Sequence, residues 1–392
     1  MSREAAAAGA AAAWIPFARP AIGEAEEAAA LECLRSGRLT NGPRVEALEA
    51  RFAERVGARY AVAVSSCTAA LHLALEGLGI GPGDRVVTSD FTFTATAEAI
   101  RLAGAEPVPV DIDPQDLNLA PSAVAQALCR DPRIRAVVPV HYAGQACAIE
   151  TLLDLARRHG ITVVEDAAHA FPAAAGMRSV GSIGDATAFS LYATKPVAAG
   201  EGGILTTDDP ALAERARLRR LHGIRREPGA PAWRYEVVDA GYKYNLPDLA
   251  AAIALPQVER AEALRARRQA IAERYRAAFA DLPRYGPSLE RPAAAHAWHL
   301  FALQLDLERL RIDRDRFIAE LAERGVEASV HFIPLHRHAY WREACGLAAA
   351  DFPKAEAAYH RVVSLPLSPA LTDAEVERVI AAVREVLTRY RR

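Results

Sequence analysis

Short apolar runs alternate with helix-like segments from residue 60 to residue 207, and this alternation constrains the fold more than anything else in the chain. Tyr60–Val64 precedes a helical pattern near Thr68–Leu78, and Arg85–Thr88 precedes one near Thr94–Ala103. Pro107–Asp111 and Ala136–Val140 lead into patterns near Pro121–Cys129 and Ile149–His159. Ile161–Asp166, Ala186–Leu191 and Gly203–Thr207 complete the series. Strands that are apolar throughout are buried on both faces. The expected fold class is therefore α/β, a mostly parallel sheet covered by helices on both sides. In such sheets ligands bind beyond the carboxyl ends of the strands.

The pattern changes near residue 250. Residues 248–282 read as one long helix, with Leu249, Ile253, Val258, Leu264, Ile271 and Tyr275 at helical spacings. Strands are expected at His299–Leu305 and Glu327–Phe332, and a helix at Asp313–Arg324. A last helix over Thr372–Tyr390 opens on Thr372-Asp373-Ala374-Glu375, which fits a capping box. The expected organisation is an N-terminal arm (1–20), a large α/β domain (21–250) and a smaller α+β domain (251–392).

Composition removes several classes of function. The net charge of −2 supplies no basic face for a nucleic acid. No apolar run approaches the ~20 residues of a membrane helix. Cys33, Cys67, Cys129, Cys147 and Cys345 contain no CxxC pair, which argues against a disulfide framework or zinc ribbon and fits a reducing compartment. The start is alanine-rich rather than leucine-rich and carries Glu4, unlike a secretory signal. A cytoplasmic protein is expected.

Only three lysines occur, Lys195, Lys243 and Lys354, so 47 basic residues minus 3 leaves 44 arginines. Arginine replaces lysine as a surface cation but cannot become an amine nucleophile. Lys195 stands out among the three, because it follows the apolar run Ala186–Leu191 and precedes the glycine-rich Gly200-Glu201-Gly202-Gly203. Asp166 ends the most apolar run, at the same expected edge of the sheet. A strand-end lysine near a strand-end aspartate suggests pyridoxal phosphate, with the lysine carrying the cofactor and the aspartate pairing with the ring nitrogen. Taken alone, Asp166 also reads as a helix cap.

Three further segments bear on this reading. Ser65-Ser66-Cys67-Thr68 passes from strand to helix, where free N–H groups suit a phosphate, although Ser and Thr are also ordinary caps. Phe93 follows a strand and reads equally as a ring-stacking or a core residue. His141, His296, His299, His331, His336 and His338 show no metal-binding spacing, so no metal is expected. GxSxG and P-loop motifs are absent, and no GxGxxG follows the first strand.

Seven segments in order resemble the DegT/StrS family of pyridoxal-phosphate sugar aminotransferases. They are LTNGP (Leu39–Pro43), SSCTAALHLAL (Ser65–Leu75), FTFTATAEAI (Phe91–Ile100), VPVHYAGQ (Val138–Gln145), EDAAHA (Glu165–Ala170), FSLYATKPVAAGEGG (Phe189–Gly203) and GYKYNLPDLAAAIAL (Gly241–Leu255). Within the family, VPVHYAG, EDAAHA, GYKYNLPDL and HAWHLFAL (His296–Leu303) are most similar to the UDP-4-amino-4-deoxy-L-arabinose–oxoglutarate aminotransferases. The resemblance implies fold type I, with a homodimer whose active sites lie at the subunit interface. It implies L-glutamate as amino donor and a nucleotide-linked keto sugar as acceptor. By the same resemblance Lys195 is the cofactor-bearing lysine, Asp166 the ring-nitrogen partner, and Phe93 the stacking residue. Thr68, Ala69 and Ser190 match the phosphate cradle, and His169 the position near the ring's 3-oxygen. Lys243 and Asn245 match the segment that reaches the neighbouring subunit's phosphate. Arg225, Arg226, Arg234, Arg337 and the Arg38–Arg44 loop are candidates for the substrate diphosphate. The sequence departs from the family at Pro196, where asparagine is common, and at Ala198-Ala199-Gly200, which replaces a Thr-rich run. A sugar dehydratase of the same fold carries histidine at the lysine position, so Lys195 argues against that alternative. A non-catalytic regulator would not need the complete set of cofactor motifs.

Overall fold

The computed structural model describes residues 14–285, except 228, 230 and 232, and residues 295–392. Its centre is a seven-stranded sheet built from β1 (Tyr60–Val64), β2 (Arg85–Ser89), β3 (Glu106–Val110), β4 (Ile134–Val138), β5 (Thr162–Asp166), β8 (Ala186–Ser190) and β9 (Gly203–Thr207). The short pairs β6 (Ala174–Ala175) with β7 (Arg178–Ser179) and β10 (Ile224–Arg225) with β11 (Glu236–Val237) lie outside it, as do the late helices α11 (Ala339–Cys345) and α12 (Pro353–Arg361). Strand order is β1-β9-β8-β5-β4-β2-β3. Pairing is parallel from β8 through β5, β4 and β2 to β3, whereas β9 runs antiparallel to both of its neighbours. At the β3 edge, Pro107 and Pro109 lack N–H donors, which an edge strand tolerates.

Both faces of the sheet are covered. In β1, Val62 and Val64 join one apolar cluster and Ala61 and Ala63 another, as the period of two requires. The first cluster is closed by α3 (Cys67–Gly77), α4 (Thr94–Leu102) and α7 (Pro210–Arg219). The opposite face is closed by α2 (Pro43–Val56) with α8 (Asp248–Glu259), and by α5 (Pro121–Arg130) with α6 (Ile149–His159). Helix α1 (Glu24–Ser36) packs on α8. A further core gathers Ile15, Tyr275, Phe279, Phe301, Phe317, Val363, Val379 and Val386. It is built by α9 (Ala261–Ala278), α10 (Arg314–Glu323), α13 (Asp373–Arg389) and a three-stranded antiparallel sheet, β12 (Arg284–Tyr285), β13 (Phe301–Leu305) and β14 (Val362–Leu365).

Two expectations are corrected. The helix expected over 248–282 is two helices, α8 and α9, meeting at Arg260. Pro256 removes one rung of the helical ladder shortly before the bend, and the Arg260 guanidinium is tied to Ala21 O (2.6 Å) and Glu26 (2.8 Å). The strand expected at Glu327–Phe332 does not form. β14 takes the position beside β13, and the segment keeps only the isolated pairing Ser329–Ser364. No helix among the described residues is long and apolar enough to cross a membrane.

Candidate active site at the carboxyl edge of the sheet

Asp166 is the last residue of β5, and β8, its parallel neighbour, ends at Ser190 just before the turn that bears Lys195. A cavity of about 640 Å³ opens here. Its walls include Ser66, Thr68, Phe93, Asp166, His169, Ser190 and Lys195, faced by Val330, His331 and Phe332.

At the β1–α3 turn, Ser66 caps α3 and accepts from the Ala69 N–H at 3.1 Å. Such a cap contributes about 1 kcal/mol. It also orients the free N–H groups and the positive dipole end of α3 toward the cavity. The close approach of β9 to this turn requires glycine, because a Cβ on Gly203 would fall 2.3 Å from the Ser66 carbonyl carbon. Cys67 also lines the cavity, but burial and the nearby Asp166 carboxylate push its thiol well up. It therefore stays protonated and is no nucleophile.

Asp166 is almost fully buried. Thr96 Oγ1 donates to its Oδ2 at 2.8 Å, and Ala168 N to its Oδ1 at 3.1 Å. Burial raises its pKa, while these hydrogen bonds and the Lys195 ammonium pull the other way. Lys195 is half-buried in the cavity wall. Burial lowers its pKa from 10.5 to about 8, against the raising effects of Cys67 and Asp166. Between these two values the unfolded chain holds a proton that the folded chain lacks, so the contribution of Lys195 to stability rises with pH across that window. Labelling of Lys195 in cofactor-free protein, mapped by peptide at successive pH values, should show a midpoint near pH 8. A midpoint close to 10.5 would mean that the amine is solvated.

His169 is buried against His299 (ring centroids 4.3 Å apart) and Phe332 (5.5 Å, stacked). Burial, Lys195 and the histidines His299 and His331 hold it neutral, well below the ordinary histidine pKa. Its Nδ1 has no hydrogen-bond partner among the described residues. Phe93 is 59% exposed at the N-terminus of α4, so it stands at the cavity rim rather than in the core. Glu165 points away from this site and is buried against His141 Nε2 at 2.8 Å.

The structure thus brings Lys195, Asp166, Thr68, Phe93, His169 and Ser190 around one cavity, with Ala69 in the turn beneath it. Lys243 and Asn245 do not line it. They pair with each other, and Asn245 also donates to Thr40 Oγ1 at 3.2 Å. Arg337 is engaged by Glu356, and Arg44 by Glu32. None of the candidate arginines lines the cavity. Sequence reasoning missed His331 and Phe332, which lie in the segment misread as a strand. It also missed Thr96, whose only signal was its spacing of four from Thr92, to which its hydroxyl is bonded at 2.8 Å.

The cavity fits pyridoxal phosphate. It combines a helix N-terminus for a phosphate, a buried carboxylate, an amine of lowered pKa, a rim aromatic and an imidazole nitrogen without a partner among the described residues.

Residues 20–384 match the DegT/DnrJ/EryC1/StrS aminotransferase family. The chain is 46% identical over 380 residues to the spore coat polysaccharide biosynthesis protein SpsC of Bacillus subtilis, covering 95% of this chain and 97% of that one. A putative sugar aminotransferase of Streptococcus pneumoniae, Spr1654, in its PMP form, superposes with a TM-score of 0.90 at 30% identity, covering 96% of this chain and 99% of that one. The aminotransferase TlmJ of Streptoalloteichus hindustanus gives 0.88 at 36% identity, with 96% and 99% coverage. With the match extending over nearly the whole chain, this protein belongs to the DegT/DnrJ/EryC1/StrS aminotransferase family, which is pyridoxal-phosphate-dependent and of fold type I.

Proposed function

We propose that the chain transfers the amino group of L-glutamate to a nucleotide-linked keto sugar, most like a UDP-4-keto sugar, with Lys195 and Asp166 as catalytic residues. The observation that carries this reading is the meeting of an amine of lowered pKa and a buried carboxylate in one cavity. When bound, pyridoxal phosphate supplies an aldehyde carbon for the incoming amine and a ring that stabilises negative charge at the neighbouring carbon. Lys195 would hold the cofactor, and its amine would supply the group that moves a proton in the reaction. An amine of pKa near 8 suits both tasks, because it loses and regains its proton near neutral pH. Asp166 would hold the ring nitrogen protonated, and Thr96 and Ala168 keep its carboxylate in place. The capped turn Ser66–Ala69 would receive the phosphate, and Phe93 at the cavity rim would hold the ring. His331 and Phe332 form the opposite wall, where the sugar would lie. The test is a panel of keto sugar nucleotides, pentose and hexose, with the 4- or 3-keto group, assayed with glutamate. Turnover with simple keto acids alone would overturn the sugar acceptor.

The active unit in this reading is a homodimer, with Lys243 or Asn245 serving the partner's cofactor. Their position off this chain's own cavity supports it. Mixing Lys195→Ala protein with a Lys243→Ala, Asn245→Ala double variant under subunit exchange should partly restore activity. One site of the mixed dimer inherits both defects and the other is intact. No recovery despite demonstrated exchange would mean that the segment serves its own subunit.

A further inference from the structure

We propose that Gln257 and Arg268 are positioning residues for Lys195, holding the loop that follows it from two helices and so setting where its amine stands. The inference rests on Lys195 as the reacting amine. The loop Pro196-Val197-Ala198-Ala199-Gly200 has no side chain that can hydrogen-bond, and Pro196 has no N–H. Its buried polar backbone must be satisfied from outside. Leu191 O accepts from Ala199 N at 2.8 Å, and Tyr192 O from Lys195 N at 2.8 Å. Gly200 O accepts from Ala193 N at 3.0 Å, and three further bonds come from helices remote in sequence. Gln257 on α8 accepts from Ala198 N at 3.0 Å and donates to Ala198 O at 2.7 Å. Arg268 on α9 donates to Pro196 O at 3.1 Å.

Both side chains are deep in the protein, at 1% and 5% exposure. Gln257 is anchored by a further bond to Ile253 O at 2.8 Å. Arg268 has no ion-pair partner among the described residues, and its Nη1 has no hydrogen-bond partner there. Burial alone brings its pKa down to about 10. A buried guanidinium without a carboxylate is costly for stability. Its main visible contact is the carbonyl of the residue after Lys195, which points to a role in the site rather than in the core. The amine must also be held closely, because a misplacement of about 1 Å can cost roughly 100-fold in rate.

The test uses Gln257→Leu and Arg268→Met, with Gln257→Glu and Arg268→Lys as conservative partners. Two readouts apply: the pH midpoint of Lys195 labelling in cofactor-free protein, and kcat against KM for glutamate in holoenzyme. The expected result is a labelling midpoint displaced from about 8 toward 10.5, with kcat falling by roughly 10- to 100-fold and KM nearly unchanged. Arg268→Lys keeps a donor for Pro196 O and should recover most of the loss. Folded variants with the wild-type midpoint and kcat would overturn the proposal. If the apolar variants do not fold, Gln257→Glu decides by the same two criteria, since it keeps the acceptor for Ala198 N and loses the donor to Ala198 O. If the underlying reading fails instead, borohydride reduction of wild-type holoenzyme will place the phosphopyridoxyl group on another lysine.

Discussion

Lys195→Ala protein should fold normally and lose turnover by about four orders of magnitude, because one substitution removes both the group that holds the cofactor and the group that moves the proton. Folding should survive because Lys195 makes no side-chain hydrogen bond or ion pair that its loss would leave buried and unmatched among the described residues, while burying its charge is itself unfavourable. Circular dichroism and a thermal melt would confirm the fold, and steady-state assay with glutamate would read the loss. Borohydride reduction of wild-type holoenzyme and peptide mapping provide the direct check. A phosphopyridoxyl group on Lys243 or Lys354 would overturn the assignment, as would a variant that keeps a tenth of its activity.

Asp166→Asn should keep part of its cofactor and lose roughly 100- to 1,000-fold in kcat, the scale seen when one preorganised electrostatic partner is removed from an active site. The amide is nearly isosteric, so its oxygen can still accept from Ala168 N, but it carries no charge to hold a protonated ring nitrogen. Burial already pushes the Asp166 carboxyl toward its neutral form in the cofactor-free protein, and a cationic ring nitrogen beside it would reverse that tendency. The absorbance of the bound cofactor, titrated with pH, should therefore differ between variant and wild type. Near wild-type turnover would reduce Asp166 to a cap on the turn at Ala167–Ala168.

The sheet was legible because its strands are buried on both faces and leave no alternation to misread. Tyr60–Val64, Arg85–Ser89, Thr162–Asp166 and Gly203–Thr207 lie within or close to the expected bounds. Segments that depend on one face were harder. Helix α1 is a run of alanine and glutamate with few apolar anchors, and it buries only Glu26 and Cys33, so no stripe marks it in the sequence. The segment at Glu327–Phe332 has the β-branched and aromatic residues of a strand. Only the structure shows that this segment keeps a single pairing, Ser329–Ser364 on β14, and that His331 and Phe332 line the cavity.

The active site divides along the same line. Lys195, Asp166, Ser190 and the Ser66–Ala69 turn lie at or just after strand ends, and parallel strands deliver their carboxyl ends to one edge. The sequence alone therefore determined that a lysine and an aspartate are brought to one cavity by the topology of the sheet. His299, Phe332, Gln257 and Arg268 come from remote segments, and only the tertiary structure decided that they surround Lys195 and its loop. The physical reason is range. Strand and turn signals act over a few neighbouring residues, whereas the pKa of a buried amine and the placement of its loop depend on which distant side chains exclude water and meet the backbone there.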